Sequence, residues 1–176
     1  MGSFKPSPNN TVGTLTSRFA EPFPTGAGAD GSAGGITTTI EKINGEIITT
    51  MLVDIHGLLC SGTEDDIIGE DGAAAAYITR ILPAKNGVVY KCEMACIEAP
   101  VGSNTSLDID LVSSTHSRAE DQTYDGGGGT DELSLIAAGA SWTKGMRKIS
   151  AAGLNWTNLA QDYIYLANGS GANSGG

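Results

Sequence analysis

Between two runs rich in Thr and Ile, residues 36–43 and 46–55, lies the dipeptide Asn44-Gly45. Both residues tolerate the positive φ of a type I′ turn, and a two-residue turn of that kind joins antiparallel strands without freedom of register. Residue 43 must face residue 46, which puts Ile40 opposite Thr49, Thr38 opposite Met51 and Ile36 opposite Val53. With Ile47 and Ile55 these make the more apolar face, the expected core side. Thr37, Thr39, Glu41, Glu46, Thr50 and Asp54 dominate the other face, where Ile48 and Leu52 imply partial cover. A folded region that opens on such a hairpin is committed to antiparallel β structure.

The pattern downstream points the same way. The acidic segment 62–72 carries Ile67-Ile68 at its middle and reads as an excursion pinned by two apolar anchors. Residues 73–82 are ambiguous, because four alanines favour helix while Tyr77-Ile78-Thr79-Arg80-Ile81 favours strand. Strand over 75–82 is adopted here, since Pro83 marks a strand end and a second Asn-Gly, Asn86-Gly87, leads into a strand over 88–99. Residues 106–113 alternate with period two, which predicts Leu107, Ile109 and Leu111 inward and Asp108 and Asp110 outward. A short strand or helical turn over 133–138 and a last strand over 163–167 complete the set. At least six strand candidates without a long amphipathic helix predict a mostly β protein, an antiparallel β-sandwich with a jelly-roll-like arrangement among its topologies.

Residues 1–35 differ in kind. Their apolar residues are scattered among Pro6, Pro8, Pro22 and Pro24, and the run 26–35 is built of Gly, Ala, Ser and Asp. This predicts an extended N-terminal arm and Gly-rich linker over 1–35, a β domain over 36–168 and a Gly/Ser-rich tail over 169–176. The middle part, about 130 residues, is the size of one domain. Phe4, Leu15, Phe19 and Phe23 are spaced along the arm as separate anchors and are the expected partner-binding residues.

The net charge of −10 disfavours phosphate backbones and anionic membranes, so neither nucleic acid nor membrane is an expected partner. The cations gather instead near Lys144, Arg147 and Lys148, a patch able to dock on an acidic partner, with a solvated loop the plainer reading. Three cysteines make no disulfide framework. Cys92 and Cys96, four apart on a strand, would lie ~13 Å from each other, beyond disulfide reach. Both are expected to face the same way as Tyr90 and Met94 and to behave as small buried hydrophobes, consistent with synthesis in a reducing compartment. No apolar run reaches the ~20 residues of a membrane span, and the first residues lack the pattern of a secretory signal.

Chemistry is sparse. Asp54, His56 and Cys60 hold metal-ligating atoms, but their spacing matches no closed zinc site. Glu64, Asp65, Asp66, Glu70 and Asp71 offer oxygen ligands without the order of a calcium loop, which leaves weak cation binding open. The glycine run 126–129 lacks the Lys-Ser/Thr of a phosphate cradle. His116 stands in a polar loop, and Trp142, Trp156 and Tyr124 read as buried anchors before they read as a sugar-binding face. No nucleophile-base arrangement is suggested by spacing, so the expectation is a non-enzymatic protein without cofactor or metal.

The segments Thr37-Thr38-Thr39-Ile40-Glu41-Lys42-Ile43-Asn44-Gly45-Glu46-Ile47, Asp66-Ile67-Ile68-Gly69-Glu70-Asp71-Gly72-Ala73-Ala74-Ala75-Ala76-Tyr77 and Tyr90-Lys91-Cys92-Glu93-Met94-Ala95-Cys96-Ile97-Glu98-Ala99 resemble small virion structural proteins of marine tailed phages, including cyanophages. The resemblance covers about two thirds of the chain and implies a capsid cement or decoration role. The implied partners are the major capsid protein and neighbouring copies, as a homo-oligomer, on the outer surface of a virion assembled in the host cytoplasm. The competing class is a receptor- or polysaccharide-binding module of a head or tail fibre, against which the aromatic share of 6% argues.

Overall fold

The computed structural model describes residues 24–29, 35–59, 62–100, 107–124, 132–137, 139, 141–150 and 161–169. They form a mostly β, antiparallel structure with almost no helix: β1 (Ile36–Ile43), β2 (Glu46–Val53), β3 (Thr79–Arg80), the single turn α1 (Pro83–Asn86), β4 (Glu93–Ala95), β5 (Ile109–Ser114), β6 (Glu132–Ile136), β7 (Arg147–Ile149) and β8 (Tyr163–Asn168). The strands divide into a four-stranded sheet of order β3-β8-β5-β6 and two separate pairs, β1-β2 and β4-β7.

The first hairpin forms in the expected register, with Ile36 facing Val53, Thr38 facing Met51, Ile40 facing Thr49 and Ile43 facing Glu46. Asn44 and Gly45 take φ of 52° and 89°, as the turn requires. Burial alternates along β2 on the expected face. Only the base of the hairpin reaches the main core, through Ile36 and Val53 with Ile55 just beyond, while residues 41–46 are all exposed.

The central sheet carries apolar residues on both sides. On β8, Ile164 and Leu166 join Leu58, Ile68, Ile78, Leu135, Ile136 and Ala29 in one cluster. Tyr165 and Ala167 turn to the other face, with Ile67, Ala76, Val112 and Tyr124. A strand covered on both faces reads as a continuous apolar run, and Tyr163-Ile164-Tyr165-Leu166-Ala167 is one. Ile67 and Ile68 are the two anchors of the acidic excursion, one committed to each cluster. The excursion is stitched down further by Asp65 N–H to Asn168 O (2.8 Å), Asn168 N–H to Asp66 O (2.8 Å) and the Asn168 side-chain amide to Thr63 O (2.7 Å).

Three expectations need correction. The strands expected over 75–82 and 88–99 form only as β3, Thr79–Arg80, and β4, Glu93–Ala95. Pro83 instead opens α1, and Gly87, at φ 68°, closes it by donating its N–H to Pro83 O (3.0 Å). That turn separates the two runs, so β3 pairs with β8 and β4 with β7. The outward placement of Asp108 also fails: Asp108 is buried just before β5, where Gly169, at the end of β8, donates its N–H to Asp108 O (2.9 Å). Its carboxyl and that of Asp110 close over Gly169, where a Cβ would come within 2.9 Å of Asp108 Cγ and 2.8 Å of Asp110 Oδ1.

The third correction concerns the glycine run. Residues 26–29 are part of the folded domain: Ala27–Ala29 form a 3-10 turn, and Ala29 is buried in the main core. Gly26 donates to Tyr77 O and Gly28 to Ala75 O, both at 2.8 Å, so the segment runs antiparallel to residues 75–77. Only glycine permits the approach, since a Cβ on Gly26 would fall 2.3 Å from Ala75 O.

Candidate docking surface

The residues available to a partner are concentrated on the two strand pairs outside the central sheet. On β1-β2 the cross-strand pairs 43–46, 41–48, 39–50 and 37–52 share one face. Ile43, Ile48 and Leu52 lie on it, each about half exposed, among Thr37, Thr39 and Thr50. Neither outer edge of this eight-residue ribbon is paired with another described strand. At ~3.3 Å per residue it presents roughly 25 Å of unpaired backbone on each side. Charges that would discourage strand addition, Glu41, Lys42 and Glu46, sit only near the turn.

Residues 88–92 continue this surface at its tip. Tyr90 is exposed, and a hydrogen bond with Glu46 raises its phenol pKa above the ordinary value. It does not share the face of Cys92 and Met94 as expected, because Tyr90 and Lys91 are both exposed and the alternation slips by one residue between them. Cys92, Met94 and Cys96 do share the inward face, and Cys92 and Met94 pack on the main core. Burial pushes the Cys92 thiol up to about 11. Both cysteines are free thiols.

The second pair, β4-β7, puts Lys144, Arg147 and Lys148 on a strand and the turn before it, not on a solvated loop. Gly145, at φ 86°, and the bond from Met146 N–H to Thr143 O (2.9 Å) build that turn. Arg147 and Lys91 both pair with Glu93, which holds the Glu93 carboxyl below its usual value. Sequence reasoning missed β7, because its inward residues Met146, Lys148 and Ser150 are mostly polar while Ile149 is exposed, so no apolar alternation marks it.

The remaining candidates take local structural roles. The phenol of Tyr165 accepts from Arg118 N–H (2.9 Å) and donates to His116 O (2.8 Å), and Arg118 pairs with the buried Glu132. Trp142 is buried and donates to Ile109 O (2.7 Å), and Tyr124 is buried in the second cluster. Burial, together with Glu132, Asp65 and Asp110, raises the Tyr124 pKa far above the ordinary phenol value. Asp54 caps its own turn by accepting from His56 N–H (2.9 Å), and His56 and His116 are exposed. Among the described residues no group of three or more His, Cys, Asp or Glu is placed to hold a metal ion, and no helix is long and apolar enough to cross a membrane. Phe4, Leu15, Phe19, Phe23, Cys60 and Trp156 lie outside the described residues.

Compared with family models, with curated proteins and with solved structures, the chain matches none.

Proposed function

We propose that this chain is a structural virion protein, a cement or decoration protein that binds and stabilises a phage capsid shell by bridging major capsid subunits. The observation that carries this reading is the outer face of β1-β2, an unpaired ribbon with Ile43, Ile48 and Leu52 half exposed along it. Such a ribbon is a template on which an extended capsid segment adds as a further strand. In this reading the domain is an antiparallel β-sandwich of jelly-roll-like type. The four-stranded sheet forms one layer, and the two strand pairs contribute to the other.

Magnitudes argue for more than one contact. Covering the exposed halves of three aliphatic side chains is worth about 1 kcal/mol each, which by itself reaches only millimolar affinity. The N-terminal arm supplies the remainder, with Phe4, Leu15, Phe19 and Phe23 seated in grooves of the capsid or of a neighbouring copy. Its root at residues 24–29 is bound to the domain, so the arm departs from a defined point. Repetition over a lattice then raises avidity without new contacts.

The test is co-sedimentation with virions stripped of the chain. Full-length protein is expected to rebind, a deletion of residues 1–23 to lose most binding, and I48E/L52E to weaken it at least tenfold while circular dichroism stays unchanged. Both variants rebinding like the parent would refute the proposal, and glycan-array binding by the domain would point to the fibre module instead.

A further inference from the structure

We infer that copies of this chain associate head to tail, the cationic face of β4-β7 on one copy docking on the acidic turns at 70–72 and 120–121 of the next. The face stands apart from the rest of the molecule in charge. Residues 88–98 and 144–150 hold Lys91, Lys144, Arg147 and Lys148 against Glu93 and Glu98, a local net charge of +2 on a chain of −10. Ile97 and Ile149, 66% and 58% exposed, flank the Arg147–Glu93 pair on this side. Lys91 and Arg147 share that outer side, Lys148 lies opposite Met94 on the inner one, and Lys144, exposed on the turn, has no ion-pair partner among the described residues.

The strand pair is also short. Each strand has three residues, and β4 and β7 pair with each other alone among the described strands. A two-stranded ribbon of that size has little stability of its own, and here only its inner side, through Cys92 and Met94, is packed on the core. Cover on the outer side stabilises it.

The complementary surface is on the same chain. The excursion 62–72 carries Glu64, Asp65, Asp66, Glu70 and Asp71 without a cation. Glu70, Asp71 and Asp121 are exposed, and Glu120 accepts from Gly72 N–H (3.4 Å), which draws the two turns together. The crowding is felt electrostatically: burial first, then Asp121 and Asp71, raise the Glu120 pKa. Arriving lysines relieve that repulsion, while the overall negative charge keeps nucleic acid away. Because the two surfaces differ, the contact is heterologous and propagates to a closed ring or an open chain. It needs no capsid and is independent of the function proposed above.

Light scattering on purified full-length protein tests the idea at about 0.05 M and about 1 M salt, where screening lengths differ several-fold. The parent is expected to associate at low salt and to dissociate at high salt. K91E/K144E and E70K/D71K, all at exposed positions, are each expected to be monomeric alone. Their equimolar mixture is expected to regain association, since acidic faces of one then meet basic faces of the other. A parent that stays monomeric at low salt, variants that associate like the parent, or folded variants whose mixture stays monomeric would each overturn the inference. A monomeric parent that still binds stripped virions refutes this inference alone, and an associating parent that ignores virions refutes only the capsid role.

Discussion

Substituting Gly28 by Ala tests whether the glycine run is built into the domain. Gly28 does not have a positive φ, so alanine is allowed by the backbone and the outcome rests on space. A Cβ there would lie 2.3 Å from the Ala73 Cβ and 3.2 Å from Ala75 O, so one of the two segments must shift. Overpacking of that kind costs about 1–3 kcal/mol. The shift also strains the bonds from Gly28 N–H to Ala75 O (2.8 Å) and from Glu70 N–H to Gly28 O (2.7 Å), each worth about 1 kcal/mol. Against this stands a gain of about 0.4–1 kcal/mol from the stiffer unfolded chain. The net expectation is a loss of about 2 kcal/mol, or a drop of about 6–10 °C in Tm for a folded region of this size. Thermal unfolding followed by circular dichroism reads it, with A27S at an exposed neighbour as a control that leaves Tm in place. The double variant G28A/A73G removes the clashing methyl and is expected to recover most of the loss, a coupling that a general backbone effect would not produce. A G28A protein that melts with the parent, or a double variant no better than G28A, would refute the docked arm root. The same geometry sets the boundary for arm deletions, because a cut at 35 takes Ala29 out of the core and a cut at 23 does not.

Ile67, with 0% exposure, is expected to cost about 2–5 kcal/mol on truncation to Ala, whereas Leu52→Ser on the open face of β2 should change stability by about 0.5 kcal/mol or less; urea midpoints separate the two. Glu120 holds its proton more tightly in the folded than in the unfolded chain, so stability is undiminished below the ordinary Glu pKa and declines as pH rises through the folded value. Glu120→Gln keeps an acceptor for Gly72 N–H and should therefore match the parent at pH 4 and be more stable at pH 7; an equal or lower midpoint at pH 7 would count against the crowding described here. With its thiol pushed up to about 11, Cys92 carries only ~0.1% thiolate at about pH 8, and mass spectrometry after iodoacetamide is expected to find Cys96 alkylated before Cys92.

The legible parts of this fold are those with local causes. Asn44-Gly45 fixes the turn, the turn fixes the register, and the alternation of Ile and Thr chooses the face, all within 18 residues of chain. The run 163–167 was equally readable, because a strand covered on both sides needs no alternation. The pinning of the acidic excursion by Ile67 and Ile68 followed from two adjacent apolar residues in a polar segment, which on an extended backbone must face opposite sides.

The candidate surfaces were less visible for a physical reason. Whether Ile48 and Leu52 are covered depends on what lies across from them, and no spacing within 36–55 states that. Strand partnership is likewise a contest between distant segments: β4 is nearer in sequence to 75–82, but α1 intervenes and β7, more than 50 residues away, takes the place. Asp108 alternates as a solvent-facing residue should, and it is buried where Gly169, from the end of β8, packs against it. The glycine run is the clearest case. By itself it had no folding signal, since glycine has no side chain to bury, and the order of residues 26–29 comes from a narrow seat along residues 73–77 that admits only glycine at 26 and 28. The sequence alone determined an antiparallel β protein with one hairpin of known register, because those are properties of adjacent residues. Tertiary structure decided which faces stay open and where the arm is rooted, because those depend on atoms brought together from distant parts of the chain.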